Sequence, residues 1–179
     1  MNTATQNSIA NYTGSGWQGK NYNKNLGIVE ISKLIKKDLK KKYPKCSFSV
    51  VTERYSGGGS ISVTLMSAPF EPFDNDIERM RRSDFYRQNS VENKIESFQQ
   101  RHSNRYVQLN QCQLKDTDFE NGCNGVLLTR QCFKIMKYVY QLSNSFNYDD
   151  SDPMIDYFNI NYYLHLNIGK WDKPFRVIK

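Results

Sequence analysis

The sequence of 179 residues has few of the side chains that bind metals or transfer protons. It contains two histidines, His102 and His165, and four cysteines that are far apart and form no C-x-x-C pair. These cysteines are Cys46, Cys112, Cys123 and Cys132. Zinc sites and histidine-based proton transfer both need closely grouped residues of these types. We therefore expect a protein without metal or cofactor, and not an enzyme.

Long hydrophobic segments are absent as well. The first residues have neither the basic nor the apolar region of a secretion signal. An apolar run of about 18 residues, long enough to cross a bilayer, does not occur. We expect a cytoplasmic protein with reduced cysteines and no membrane partner.

Two short motifs lack the residues that would make them ligand sites. Gly57, Gly58 and Gly59 are not followed by the Lys-Ser/Thr of a phosphate-binding loop, and they lead into a strand pattern. The aspartates at 149, 150 and 152 lack the central glycine and terminal glutamate of a calcium loop. The sequence thus favours a turn and a polar connector at these places.

Positive charge is concentrated in one segment. Between residues 20 and 45 there are nine lysines and two carboxylates, so this segment alone carries the net charge of +7. A directional field of this kind suits a polyanion. The expected partner is nucleic acid, or an acidic or nucleic-acid-binding host protein.

The lysine-rich segment has the pattern of an amphipathic helix over residues 28–42, which Pro44 ends. Apolar residues follow helical spacing and lysines fill the opposite arc. The candidate binding residues are Lys33, Lys36, Lys37, Lys40, Lys41 and Lys42. Two interpretations remain open: a solvated face that complements the helix dipole, or a surface that contacts phosphates.

Two strands with period-two alternation, Phe48–Tyr55 and Ser60–Met66, flank the glycines and predict a β-hairpin. The turn is expected over residues 56–60, where glycines can adopt positive φ, and Gly58 is required there if it does so. A longer alternation predicts a final strand over Asp156–Ile168. Its polar face offers possible contacts through Tyr157, Asn159, Asn161, Tyr163 and His165. That face is either an ordinary solvated surface or a site for a ligand.

The remaining segments complete a predicted α+β fold. Residues 1–25 read as a flexible tail, and residues 26–179 as a single domain. An arginine-rich stretch after residue 74 is matched by nearby carboxylates, which predicts an exposed, salt-bridged helix. Thr129 is expected to cap a second long helix over 130–146. We expect two layers: an antiparallel sheet of the three strands, covered on one face by the helices at 28–42 and 130–146.

The helix and hairpin resemble a known family. The segment from Ile31 through Tyr43-Pro44 to Val50, followed by Tyr55-Ser56-Gly57-Gly58-Gly59-Ser60-Ile61, is similar to large polyvalent protein associated domain 29. The resemblance covers about residues 28–65 and implies an accessory role in a phage or conjugative element. Within that setting we expect nucleic-acid binding. The alternative is a protein-binding inhibitor of host defence, of the anti-restriction or anti-CRISPR type. The oligomeric state stays open.

Overall fold

A computed structural model describes residues 12–115 and 118–178, and these form an α+β fold. In chain order the elements are β1 (Trp17–Gln18), α1 (Ile28–Lys42), β2 (Ser47–Tyr55), β3 (Gly58–Ala68), α2 (Ile77–Arg82), α3 (Val91–Ser103), β4 (Val107–Leu109), α4 (Arg130–Asn144), β5 (Tyr148–Asp149), β6 (Tyr163–Ile168) and β7 (Arg176–Val177). No helix in the described ranges has the length and apolar character needed to span a bilayer.

The main sheet has the strand order β2-β3-β6-β4, with β7 added beside the end of β3. Strand register aligns apolar side chains in rows across the sheet. One row is Phe48, Leu65, Ile168 and Val107, and the next is Val50, Val63, Leu166 and Leu109. The members of these rows in β3, β4 and β6 are buried. This face of the sheet therefore supplies one side of the core.

Helices α1 and α4 supply the other side. Ile31, Ile35 and Leu39 of α1 are almost fully buried and belong to the same cluster as the sheet rows. Met136 and Val139 of α4 join that cluster. The bounds of α1 are those that its periodicity predicted, and Thr129 caps α4 by accepting a hydrogen bond from the Cys132 N–H. The prediction that helices cover one sheet face is confirmed.

The strand directions correct the prediction of an antiparallel sheet. Pairs β2–β3 and β4–β6 are antiparallel, but β3 and β6 run parallel, so the sheet is mixed. The chain leaves β3, forms α2, α3, β4 and α4, and then returns to add β6 alongside β3. Parallel neighbours require such a long crossover. Alternation in the sequence specifies the face of each side chain and carries no information about strand direction.

The final strand is also shorter than predicted. It begins at Tyr163, whereas residues 156–162 form turns and isolated bridges. Asp156 has a φ of 54°, in the left-handed region, and follows a 3₁₀ turn over Pro153–Ile155. A residue with that backbone conformation interrupts an extended strand. The alternating pattern of 156–162 therefore does not correspond to a strand there.

The turn between β2 and β3 consists of two residues, Ser56 and Gly57. Gly57 has a φ of 87°, the left-handed conformation that glycine adopts without strain. Gly58 and Gly59 lie within β3, and neither has a positive φ. The prediction of a turn over 56–60 was therefore wrong in its bounds, and the condition of a positive φ at Gly58 is not met.

Part of the predicted tail contacts the domain. Residues 1–11 lie outside the described residues, but β1 pairs with β5 in an antiparallel two-stranded ribbon. Upstream of β1, the carboxylate of Asp150 accepts hydrogen bonds from the backbone of Tyr12 and Thr13 and from the Thr13 hydroxyl. These bonds lower the pKa of Asp150. Residues 12–18 thus pack against the region around β5, and the boundary placed at residue 26 does not mark the start of packed structure.

A smaller core lies between α2 and α3. Met80, Phe98 and Leu127 are fully buried there. Ser90 caps α3 by accepting a hydrogen bond from the Asn93 N–H. Arg79 of α2 is also buried, with 4% of its surface exposed, so the predicted exposed helix has one basic residue inside the protein.

Candidate functional site

The six candidate lysines of α1 are all exposed, whereas the apolar residues facing the sheet are buried. Three of them, Lys40, Lys41 and Lys42, occupy the last helical turn. There they lie near the negative end of the helix dipole. We call Lys33, Lys36, Lys37, Lys40 and Lys41 the α1 lysine face.

The α1 lysine face is not neutralised by the carboxylates of the described residues. Ion pairs in that part of the chain involve Arg79, Arg81 and Arg105, and no lysine of α1. The carboxylate of Asp38 instead accepts a hydrogen bond from the Tyr138 hydroxyl at 2.6 Å. The charges of this surface are consequently available to an external anion.

Lys42 differs from the other five. Its ammonium group lies 3.6 Å from the centroid of the Tyr138 ring, a cation–π contact between α1 and α4. Burial, and next the hydrogen bond to Asp38, raise the pKa of Tyr138 to about 12. The phenol therefore stays neutral and keeps donating to Asp38. Lys42 thus helps to fix α1 against α4, in addition to its predicted role.

The tertiary structure adds one cation that the sequence analysis missed. Lys134 of α4 is exposed and lies one helical turn before Tyr138, the residue through which α4 contacts α1. Lys134 lies beside Glu120 and Arg130, with which it lines a depression at the start of α4. The i,i+4 spacing of Lys134 and Tyr138 puts both on one side of α4. The sequence alone does not show that this side of α4 contacts α1.

The predicted polar strand face divides into two groups. Tyr163 and His165 lie in β6 and point away from α1 and α4, since the intervening Leu164 and Leu166 belong to the core. Gln108 of β4 approaches His165 on this face, with Nε2 3.4 Å from Nδ1. A polar row crosses the sheet here: Ser49, Thr64, Asn167 and Gln108.

The other three residues of the predicted face do not lie on the sheet. Tyr157 packs against the Tyr12 ring, with centroids 5.0 Å apart. Asn159 accepts a hydrogen bond from the Tyr148 hydroxyl at 3.1 Å, and Asn161 donates to the Phe146 carbonyl at 3.2 Å. Each stabilises the irregular segment before β6. The idea of one continuous face from Tyr157 to His165 is therefore wrong.

The cysteines and acidic residues form no metal site within the described ranges. Burial raises the pKa of the Cys123 thiol to about 12, and it raises that of Cys132 as well. Both thiols are thus protonated at neutral pH and unsuited to metal binding or nucleophilic attack. Cys46 is half-buried and Cys112 is exposed.

Comparison with known proteins identifies a family. The model for large polyvalent protein associated domain 29 matches residues 26–133, which span α1, the hairpin, α2, α3, β4 and the start of α4. This match is longer than the segment whose motifs suggested the resemblance. No curated protein and no solved structure matches the chain.

Proposed function

Since this chain belongs to the large polyvalent protein associated domain 29 family, which is associated with polyvalent proteins of phages and mobile elements, we propose that it is a non-enzymatic nucleic-acid-binding accessory protein of such an element. The α1 lysine face is the contact surface in this proposal. The ligand is the phosphate backbone, so binding depends little on base sequence.

The observation that carries the proposal is the state of the α1 lysines. Five ammonium groups are exposed on one helix, and none forms an ion pair with a described carboxylate. Helical spacing places Lys33, Lys36, Lys37, Lys40 and Lys41 on the arc opposite the buried stripe. Like charges at such close spacing repel one another. A polyanion relieves that repulsion and releases its own counterions, which favours binding.

The test is the salt dependence of duplex DNA binding. Each phosphate neutralised lowers the logarithm of the binding constant by about 0.9 per tenfold rise in salt, so contact through the α1 lysine face predicts a slope of about −3 to −5. Replacing Lys36, Lys37 and Lys40 together by Glu should abolish binding. The fold should persist because these side chains are exposed.

A matched control separates the location of charge from its amount. Changing Arg82, Arg87 and Lys173 to Glu makes the same change in net charge at exposed positions outside α1. This control should keep most of the affinity if α1 is the contact surface. Equal loss in both triple variants would contradict the proposal, as would a flat salt dependence. Retained binding of a host protein by the α1 variant would instead support the inhibitor interpretation.

A further inference from the structure

A cavity of about 510 Å³ opens where β4 ends and β6 begins. Its walls come from five parts of the chain: β1, the end of β4 with the 3₁₀ turn after it, the loop before α4, the end of α4 with the segment following it, and the start of β6. Its volume lies in the range of roughly 300–1,000 Å³ that is typical of small-molecule sites. It is separate from the α1 lysine face, which contributes no residue to it.

Side-chain amides dominate the polar part of the wall. The six amides are Gln108, Asn110, Gln111, Asn124, Asn144 and Asn147. Every amide offers both a donor and an acceptor, so the wall can pair with a ligand that has both. Among the described residues lining the cavity there is no lysine or arginine, and one carboxylate, Asp149, is present. This composition suits an uncharged polar ligand and disfavours a phosphate inside the cavity.

Some of these amides hold the cavity in shape. Asn147 is 2% exposed and bonds to the backbone of Tyr148 and Tyr162 through both ends of its amide. Asn124 donates to the Gln108 carbonyl at 2.7 Å. In contrast, the side-chain amides of Gln111 and Asn144 make no hydrogen bond to another described residue. A rigid wall thus carries two amides that are free to bond a ligand.

Aromatic rings form the rest of the wall. Trp17, Tyr140, Tyr163 and the imidazole of His165 all line the cavity. Trp17 is held there by the pairing of β1 with β5 and is 44% exposed. Rings of this kind stack on planar heterocycles, and amides read the hydrogen-bonding edges of those heterocycles.

We propose that this cavity binds one uncharged nucleobase, carried by a nucleoside or by an unpaired position of a nucleic acid. Trp17, Tyr140 or Tyr163 provides the stacking surface, and Gln111 and Asn144 bond the edge of the base. The preference for a base over a neutral sugar rests on the proposed nucleic-acid function, since amides and aromatic rings also bind sugars. The phosphates of a nucleic acid would remain outside the cavity.

The chain offers a fluorescent reporter for the test. It has two tryptophans, and Trp171 is 79% exposed and does not line the cavity. In the Trp171→Phe protein, Trp17 is the single tryptophan. Trp17 also lines a second depression beside Lys20 and Gln141, and Gln111 does not, so loss of the response in Gln111→Ala assigns it to this cavity. We expect adenosine, guanosine, cytidine or uridine to change its emission in a saturable manner, while glucose does not. Calorimetry on the unchanged protein should give the same affinity.

Substitutions locate the binding. Asn144→Ala and Gln111→Ala should each weaken nucleoside binding by about tenfold, the effect of one or two lost hydrogen bonds. Gln99→Ala removes an exposed amide from α3 outside the cavity and should have no effect. Single-stranded oligonucleotides distinguish a free nucleoside from an unpaired base of a nucleic acid as the ligand. If the ligand is an unpaired base, an intact oligonucleotide should bind more tightly than free nucleosides and more tightly than its abasic counterpart.

The outcome is independent of the α1 experiment. The Lys36, Lys37 and Lys40 to Glu variant should bind nucleosides normally, and Asn144→Ala should bind duplex DNA normally. No response to any nucleoside or oligonucleotide overturns the inference, as does a response to glucose alone. A third result is loss of duplex binding in the α1 variant while no protein tested binds a nucleoside. That result supports nucleic-acid binding through α1 and excludes nucleobase binding in the cavity.

Discussion

The lysines of α1 and two cations of α2 and α3, Arg79 and Lys94, carry the same charge in opposite environments. On α1 the cations are exposed and form no ion pair with a described carboxylate. In α2 and α3, Arg79 and Lys94 are buried with exposures of 4% and 8%. Arg79 bonds to Asp74 at 2.6 Å, to the Leu128 carbonyl at 2.8 Å and to the Phe119 carbonyl.

This difference separates cations that the fold uses internally from cations that it leaves exposed. Arg79 links α2 to the loops before and after it, and its guanidinium also packs on the Phe119 ring. Lys94 donates to the carbonyls of Arg81 and Ser83 and so connects α3 to the end of α2. Apart from Lys42, which contacts Tyr138 of α4, the α1 lysines make no such connection within the described residues. The following variants test this division between internal and external cations.

The largest effect is expected from Arg79→Met. The change leaves the Asp74 carboxylate and two carbonyl groups without their partner, so the free energy of unfolding should fall by about 3–5 kcal/mol. Urea denaturation measures it. Arg82→Met is the matched control, because Arg82 is exposed on the same helix and its loss should cost less than about 0.5 kcal/mol. Similar free energies of unfolding for the two variants would show that Arg79 contributes no more to stability than an exposed arginine.

Acid should destabilise the α2–α3 region through His102. Its Nε2 accepts the Leu127 N–H at 3.0 Å, and its Nδ1 lies 2.9 Å from Asn75 Oδ1, so the neutral ring carries its proton on Nδ1. Burial above all, opposed by Asp74 and assisted by Arg79, lowers the pKa of His102 to about 4.

The sign of the pH effect follows from this lowered pKa. The unfolded chain, with an ordinary histidine pKa, binds a proton at a pH where the folded protein does not. Stability should therefore fall as the pH drops from about 6.5 towards 4, by up to about 3 kcal/mol. The difference in urea midpoint between the native protein and His102→Phe, measured across this range, isolates the contribution. A parallel pH dependence in both proteins would exclude it.

Lys94→Met should have an intermediate effect. Methionine can fill most of the buried space, but the carbonyls of Arg81 and Ser83 lose their donor. An unsatisfied buried acceptor costs about 1–3 kcal/mol. Lys37→Met makes the same substitution on the exposed face of α1, and thermal unfolding of the two variants should separate them clearly. A larger fall in melting temperature for Lys37→Met than for Lys94→Met would contradict this prediction.

The smallest effect on stability is expected from replacing Lys36, Lys37 and Lys40 with Ala. Relief of repulsion offsets the lost interaction with the helix dipole, so the free energy of unfolding should change by less than about 0.5 kcal/mol. The same protein should bind duplex DNA much more weakly. Circular dichroism and binding measured on one preparation check both. A substantial loss of helix would show that these lysines serve the fold.

Helix α1 illustrates what could be predicted. Its bounds followed from the apolar spacing and from Pro44, because a proline disfavours helical geometry in the residue before it. The faces of β3 and β6 were likewise correct within the residues that form strands. In contrast, the sequence indicated that Arg79 was an exposed, paired residue. The pairing with Asp74 is present, but burial depends on the loops around Phe119 and Leu128, which are distant in the chain.

The sequence by itself determined that residues 28–42 are helical, that the two hairpin strands are extended, which of their side chains face the core, and where the net positive charge lies. These properties depend on residues a few positions apart. Only the tertiary structure decided that β3 and β6 are parallel, that residues 156–162 leave the strand, and that Trp17, Gln111 and Asn144 meet around one cavity. These features depend on the path of the long connection between β3 and β6, and local periodicity contains no information about that path.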